Sequence, residues 1–270
     1  MADILEEIVQ KTRARLEAQK NRLPLAELRE QLSGRKKALP FAAALHRGDS
    51  IAVIAELKQA SPSAGVIRNE PDLAGRIRGY ARGGAAALSI LTEEDYFHGS
   101  PYVLELARKE SDLPLLRKDF IVDPYQIEES RRMGADAVLL ITTLLPAALL
   151  KELIDHAREI GLEALVEVHA EADLEKALQA GSTLIGINHR DLRTLQMDMT
   201  TAQRLLPRVP KHGTTVVVES GITKPEHMLQ FRAWGAHAVL IGETLMRDPD
   251  PEQGVRTFAN AAKKGQAKSR

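Results

Sequence analysis

From Ile51 onward, short aliphatic runs alternate with amphipathic stretches that often open at Pro, Ser, Thr or Asp, and the unit recurs eight times. The runs are residues 51–57, 86–92, 113–118, 136–142, 163–169, 183–188, 215–220 and 237–242. Each is followed by a stretch of helical period, such as PYQIEESRRMG after the third and PAALLKELIDHAREIG after the fourth. Near-continuous aliphatic strands separated by helices call for a parallel sheet covered on both faces, because every crossover lays a helix on the sheet. A doubly wound open sheet satisfies the same pattern but requires a G-x-G-x-x-G turn at its crevice, and none follows the first run. Eight evenly spaced units predict a closed (β/α)8 TIM barrel over residues 49–262. Before it, Ile4, Leu5, Ile8, Val9 and Leu16 form a one-sided stripe, and a second short pattern runs from Pro24 to Leu32. Residues 1–48 therefore read as a helical extension packed on the barrel, the repeat being too short for a coiled coil or a membrane-surface helix. Residues 263–270, KKGQAKSR, are basic and patternless, which predicts a solvated, disordered tail.

Composition narrows the chemistry more than the fold. The 270 residues suit one barrel of about 250 residues or two smaller domains, and no composition break divides them. Lys plus Arg and Asp plus Glu both total 37, so no global field recruits nucleic acid or an anionic membrane, and any anion must be gripped locally. The chain has no cysteine, which excludes disulfides, a thiol nucleophile and a Cys-based zinc site. Its N-terminus carries charges every few positions, and no segment offers the ~20 apolar residues of a membrane span, so a cytoplasmic monomer is expected. No H-x-x-x-H or H-E-x-x-H pattern suggests a metal, and His169 and His189 are expected as polar rim residues. No G-x-S-x-G elbow suggests a serine triad, and Trp234 is expected to pack.

The ionisable residues inside the strands cluster at the C-terminal ends: Glu56 and Lys58 on the first, Ser89 on the second, Lys118 on the third, Glu167 on the fifth, Asn188 on the sixth, Glu219 and Ser220 on the seventh. In a β/α barrel these ends emerge on one rim, so residues far apart in sequence converge. Hydrogen bonding to a neighbouring loop would explain any one of them, but explains six strands of eight poorly. Period two places Glu56 and Lys58 on one face, and Lys118 with Phe120. A buried mixture of acids and bases of this kind is suited to proton transfer, although structural ion pairs shift pKa values in the same way. A separate anion signal lies in the last two loops, Glu219-Ser220-Gly221-Ile222 and Ile241-Gly242-Glu243-Thr244-Leu245-Met246-Arg247, where glycine lets main-chain N–H groups approach a phosphate. Ser61-Pro62-Ser63-Ala64-Gly65 is a candidate lid, or an ordinary surface turn.

The runs Ile54-Ala55-Glu56-Leu57-Lys58 with Ala60-Ser61-Pro62-Ser63, and Leu116-Arg117-Lys118-Asp119-Phe120-Ile121-Val122-Asp123-Pro124-Tyr125-Gln126, closely resemble the first- and third-strand signatures of the indole-3-glycerol phosphate synthase family. Leu165-Val166-Glu167-Val168-His169, Gly186-Ile187-Asn188-His189-Arg190-Asp191-Leu192, Val218-Glu219-Ser220-Gly221-Ile222 and Gly242-Glu243-Thr244-Leu245-Met246 follow in the family's order. The resemblance implies closure of 1-(2-carboxyphenylamino)-1-deoxyribulose 5-phosphate to indole-3-glycerol phosphate, with loss of carbon dioxide and water and without metal or organic cofactor. It implies Lys118 as general acid, Glu167 as general base, and Lys58 as carboxylate holder and candidate second acid, with Glu56 and Glu219 positioning them. Asn188, Ser61, Ser220, Ser89, Arg190 and Leu240 would line the substrate, while Phe97, Phe120 and Leu192 sandwich its ring. Gly221, Gly242, Ser61 and the backbone N–H of Glu243 would hold the phosphate. Gln59 and Ala64 replace basic residues frequent in the family's first loop, and His189 stands where Asn is common. Rival readings are another phosphosugar barrel such as phosphoribosylanthranilate isomerase, which lacks the first two runs, a Schiff-base aldolase using Lys58 or Lys118, which borohydride would trap, and a non-catalytic binding barrel.

Overall fold

The computed structural model describes residues 4–48 and 50–261, and the expected tail at 263–270 lies outside them. Eight parallel strands form the barrel: β1 (Ser50–Leu57), β2 (Ala87–Leu91), β3 (Leu115–Lys118), β4 (Ala137–Ile141), β5 (Glu163–Val168), β6 (Leu184–Asn188), β7 (Thr215–Glu219) and β8 (Ala238–Ile241). Each lies within two residues of its sequence-derived bounds. The barrel closes where β1 pairs on one side with β2, Ile54 opposite Ala87, and on the other with β8, Ala52 opposite Ala238. A two-residue strand, His46–Arg47, adds antiparallel to the start of β1.

Alternation splits the strand residues between two cores. One set, including Val53, Leu88, Leu140 and Val218, faces the helices, while Ile54, Leu116, Leu139, Leu165, Val217 and Leu240 fill the interior. Helices α1 (Ile4–Arg22), α2 (Leu25–Glu30) and α3 (Phe41–Ala44) precede the barrel. Phe41 and Leu45 join the interior core, and Ala42 N–H donates to the Glu163 carboxylate at the start of β5, so α3 stoppers the N-terminal end. Leu5 and Ile8 of α1 join the same core from the opposite, C-terminal end.

Helix α4 (Leu73–Arg82) follows β1, α5 (Pro101–Glu110) β2, α6 (Pro124–Met133) β3, α7 (Ala147–Glu159) β4 and α8 (Glu171–Gln179) β5. Their starts explain where the rim loops end. Asp72, Ser100 and Asp123 cap α4, α5 and α6 through side-chain acceptors, each cap contributing about 1 kcal/mol, and Pro101 and Pro124 occupy first-turn positions where no N–H is needed. Lys20 of α1 pairs with the α6 cap Asp123 at 2.8 Å, and Tyr125 Oη donates to Leu23 O at 2.8 Å, which seats α1 beside α6.

Candidate active site

The C-terminal ends of the strands enclose a cavity of about 540 Å³. Glu56, Lys58, Lys118, Glu167, Asn188 and Glu219 line it together although they belong to β1, β3, β5, β6 and β7 and the residues just beyond. Lys118 Nζ donates to Glu167 Oε2 at 3.2 Å and lies 3.3 Å from Glu219 Oε2, and Lys58 Nζ lies 3.1 Å from Glu56 Oε1. Ser89 Oγ donates to the other oxygen of Glu56 at 3.3 Å.

This cluster needs room, and two glycines supply it. A Cβ on Gly186, in mid β6, would overlap Glu219 Oε1, and a Cβ on Gly242, just after β8, would overlap Glu56 Oε1. Each carboxylate occupies the space of a side chain missing from the adjacent strand or loop.

Burial and pairing then set the charges. Burial acts to lower the Lys118 pKa, but Glu219, Glu167 and Glu56 outweigh it and hold the ammonium well above its ordinary range. Burial pushes Glu56 upward, and Lys58 and Lys118 overcome this to hold it below its usual value. Glu219 goes the other way, to about 8, because burial and repulsion from Glu167 and Glu56 outweigh the attraction of Lys118. Its contact with Lys118, at 3.3 Å, is one of charge.

The walls are apolar. Phe97 and Phe120 meet at 6.1 Å between ring centres, their planes tilted by 44°, with Leu192 and Leu240 beside them and Ile4, Leu5 and Ile8 of α1 above. Opposite, the loops after β7 and β8 converge. Ser220 and Gly221 both adopt left-handed backbone, φ 67° and 75°, a conformation that costs about 1 kcal/mol or more for Ser. Thr244 Oγ1 donates to Ile222 O at 2.8 Å and ties this loop to the short helix Glu243–Arg247. The Glu243 carboxylate is turned along its own helix to Arg247 Nη2, 2.9 Å away.

All but one of the residues expected at the site line the cavity, including Ser61, Ser220, Arg190, Gly221, Gly242 and Glu243. Ser89 does not. It is fully buried and serves Glu56 rather than the open space. His189 is not a rim residue either: Asn188 points into the barrel, so His189 points out, packs 5.5 Å from the Phe231 ring, and donates from Nδ1 to Ser220 O at 3.0 Å. Burial lowers its pKa and keeps it neutral. His169 lines an adjoining cavity of about 310 Å³, which shares Glu167 and Arg190 with the first, and donates from Nδ1 to Asn188 O at 2.8 Å. Lining residues to which the sequence did not point include Ile4, Leu5 and Ile8, whose stripe was visible without its destination, and Leu195 and Met197. Among the described residues, no helix is long and apolar enough to cross a membrane.

Residues 5–258 match the family model described as indole-3-glycerol phosphate synthase. The indole-3-glycerol phosphate synthase of Carboxydothermus hydrogenoformans is 48% identical over 261 residues, covering 94% of this chain and 98% of the relative. That of Roseiflexus sp. is 42% identical over 269 residues, covering 97% and 100%. Among solved structures, 3-hexulose-6-phosphate synthase from Salmonella typhimurium superposes with a TM-score of 0.65 at 13% identity, covering 79% of this chain and 99% of that one. Thiamine phosphate pyrophosphorylase from Pyrococcus furiosus gives 0.60 at 14% identity, covering 81% and 98%. These two likenesses speak to the barrel alone.

Proposed function

Because the chain belongs to the indole-3-glycerol phosphate synthase family, we propose that its rim cavity closes the indole ring of 1-(2-carboxyphenylamino)-1-deoxyribulose 5-phosphate with the residues of that cavity in distinct roles. The observation that carries this reading is the sharing of one mouth by Lys58, Lys118 and Glu167 beside a main chain shaped for an anion.

The phosphate rests on the N–H groups around Gly221, Gly242 and Glu243, and the aromatic ring packs against the wall made by Phe97 and Phe120. Lys58 holds the ring's carboxylate. Ring closure joins the ring carbon that bears the carboxylate to the ketone carbon, and the ketone oxygen takes a proton from Lys118. The acidic groups around Lys118 keep it charged until that moment, and a developing alkoxide is basic enough to take the proton. Breaking the bond to the carboxylate releases CO2 and returns its electron pair to the ring. The new hydroxyl then leaves as water with a proton from an ammonium, Lys58 being the candidate, while Glu167 takes a proton from the adjacent methylene. Asn188, whose Oδ1 accepts from Arg190 N–H at 2.9 Å, presents its amide N–H groups to the sugar hydroxyls.

Turnover of the carboxyphenylamino substrate, followed by the fluorescence of the indole formed, tests the reading. Indole emission should rise with enzyme concentration, and a signal no higher than the blank would remove it.

A further inference from the structure

Glu93, two residues beyond β2, is buried as completely as the acids of the mouth, yet the proposed chemistry does not use it. Its carboxylate has no side-chain exposure and accepts from the main-chain N–H groups of Asp95 at 3.1 Å, Tyr96 at 2.8 Å and Phe97 at 3.1 Å. A fourth donor, Arg15 Nη2, reaches it from α1 at 3.2 Å. The Glu93 carbonyl accepts from Gly99 N–H at 2.7 Å, so the loop is folded around this one residue. The last of its main-chain donors belongs to Phe97, one wall of the cavity.

The same loop is the landing site of the helical extension. Glu7, Lys11 and Arg15 are spaced by four and share one face of α1. Tyr96 Oη donates to Glu7 at 2.6 Å, Lys11 Nζ lies 4.6 Å from the Tyr96 ring centre, and Arg15 also reaches Asp95 at 2.8 Å. Ile4 and Ile8, on the flank of that face, roof the cavity.

We infer that Glu93 is a positioning residue for recognition of the substrate's aromatic ring, fixing Phe97 against Phe120 and, through Arg15, making that fix depend on the seating of α1. The inference rests on the reading of Phe97 and Phe120 as the ring's walls. A carboxylate that meets three N–H groups and a guanidinium cannot be replaced by an amide, whose NH2 half would face donors. Glu93→Gln therefore loosens Phe97 while leaving the phosphate loops, on the far side of the mouth, untouched.

Binding of two ligands to the full chain and its variants tests this: the reduced substrate, 1-(2-carboxyphenylamino)-1-deoxyribitol 5-phosphate, which carries the ring, and glycerol 3-phosphate, which does not. Glu93→Gln should weaken the first by about tenfold, the scale of a lost charge-assisted hydrogen bond, and change the second by less than about twofold. Phe97→Ala should weaken the ring-bearing ligand at least as much, and adding Glu93→Gln to it should cost nothing further, because the two act through one contact. Additive losses, equal weakening of both ligands, or unchanged affinity in Glu93→Gln would overturn the inference. Unchanged affinity in Phe97→Ala itself would overturn the wall assignment and the inference with it, a distinct result. Should Glu93→Gln not fold, Arg15→Gln carries the same cycle: a loss confined to the ring-bearing ligand and absent in the Phe97→Ala background is expected, and a loss that persists there overturns it.

Discussion

Arg117 and Lys118 are neighbours in β3, both buried among carboxylates, and they face opposite sides of one strand. Arg117 points out toward α6, where its guanidinium donates to Thr92 Oγ1 at 3.0 Å, Glu129 Oε2 at 2.8 Å, Ser130 Oγ at 3.2 Å and Asp119 Oδ2 at 3.1 Å. Lys118 points in, is shared between Glu167 and Glu219, and still borders an open cavity. In both, carboxylates outweigh burial and hold the proton more firmly than usual. Charge and burial therefore do not distinguish a structural cation from a working one. Saturation does: the guanidinium has its donors fixed by neighbours, whereas the ammonium retains donor capacity directed at the space a ligand would fill.

The sharpest way to break this contrast is to remove each cation in turn. Lys118→Ala should lower kcat by about a thousandfold, within the range for a lost acid and oxyanion donor, while ligand affinity changes far less. Steady-state kinetics beside calorimetric binding would show it, and an equal loss in both would undo the assignment. Arg117→Met should do the reverse, costing about 3–5 kcal/mol of stability because Asp119 and Glu129 lose their partner, with kcat per folded molecule nearly unchanged. Urea unfolding measures the first, and a collapse of kcat at unchanged stability would erase the distinction between the two faces.

A finer test moves one of Lys118's partners without touching the lysine. Gly186→Ala places a methyl where Glu219 Oε1 lies and should cost about 1–3 kcal/mol of stability, with a fall in kcat that an alanine at an exposed helix site does not cause. Wild-type kcat in this variant would mean that the carboxylate's position is unimportant.

A further effect is on pH dependence. With its pKa raised to about 8 from an ordinary 4.5, Glu219 holds in the folded chain a proton that the unfolded chain releases. Its contribution to stability is fully present below about pH 4.5 and is lost as pH rises through about 8. Glu56, held below 4.5, contributes in the opposite sense, above its unfolded value and lost on acidification. Glu219→Gln should flatten the decline in urea midpoint between about pH 5 and 8, and an unaltered slope would show that Glu219 ionises normally.

The strands were legible because a strand covered on both faces must be aliphatic throughout, so the few charges within them stood out. The rim residues followed from the direction of a β/α barrel. What period two could not give was depth: Ser89 does face inward, but it lies opposite Glu56 in the ladder and is covered by it. Nor could it show that His189, one residue past an inward Asn188, would become packing. The stripe of α1 was visible, but its seat on Glu93, Asp95 and Tyr96 depends on contacts some eighty or ninety residues distant, about which a local period carries no information. The hairpin of Ala60–Ser61 with Gly65–Val66 in the first loop is too short to leave an alternation at all.

The seam between β1 and β8 gives the molecule a history as well as a shape. Glu56 is made early in translation and Gly242, whose bare backbone it rests against, nearly two hundred residues later. A nascent chain on the ribosome holds the acids of its first strand with no cradle opposite, and cannot join β1 to β8 until the latter has emerged. That pairing closes a loop spanning almost the whole barrel, so it carries a larger loop-closure entropy than the pairings of consecutive strands.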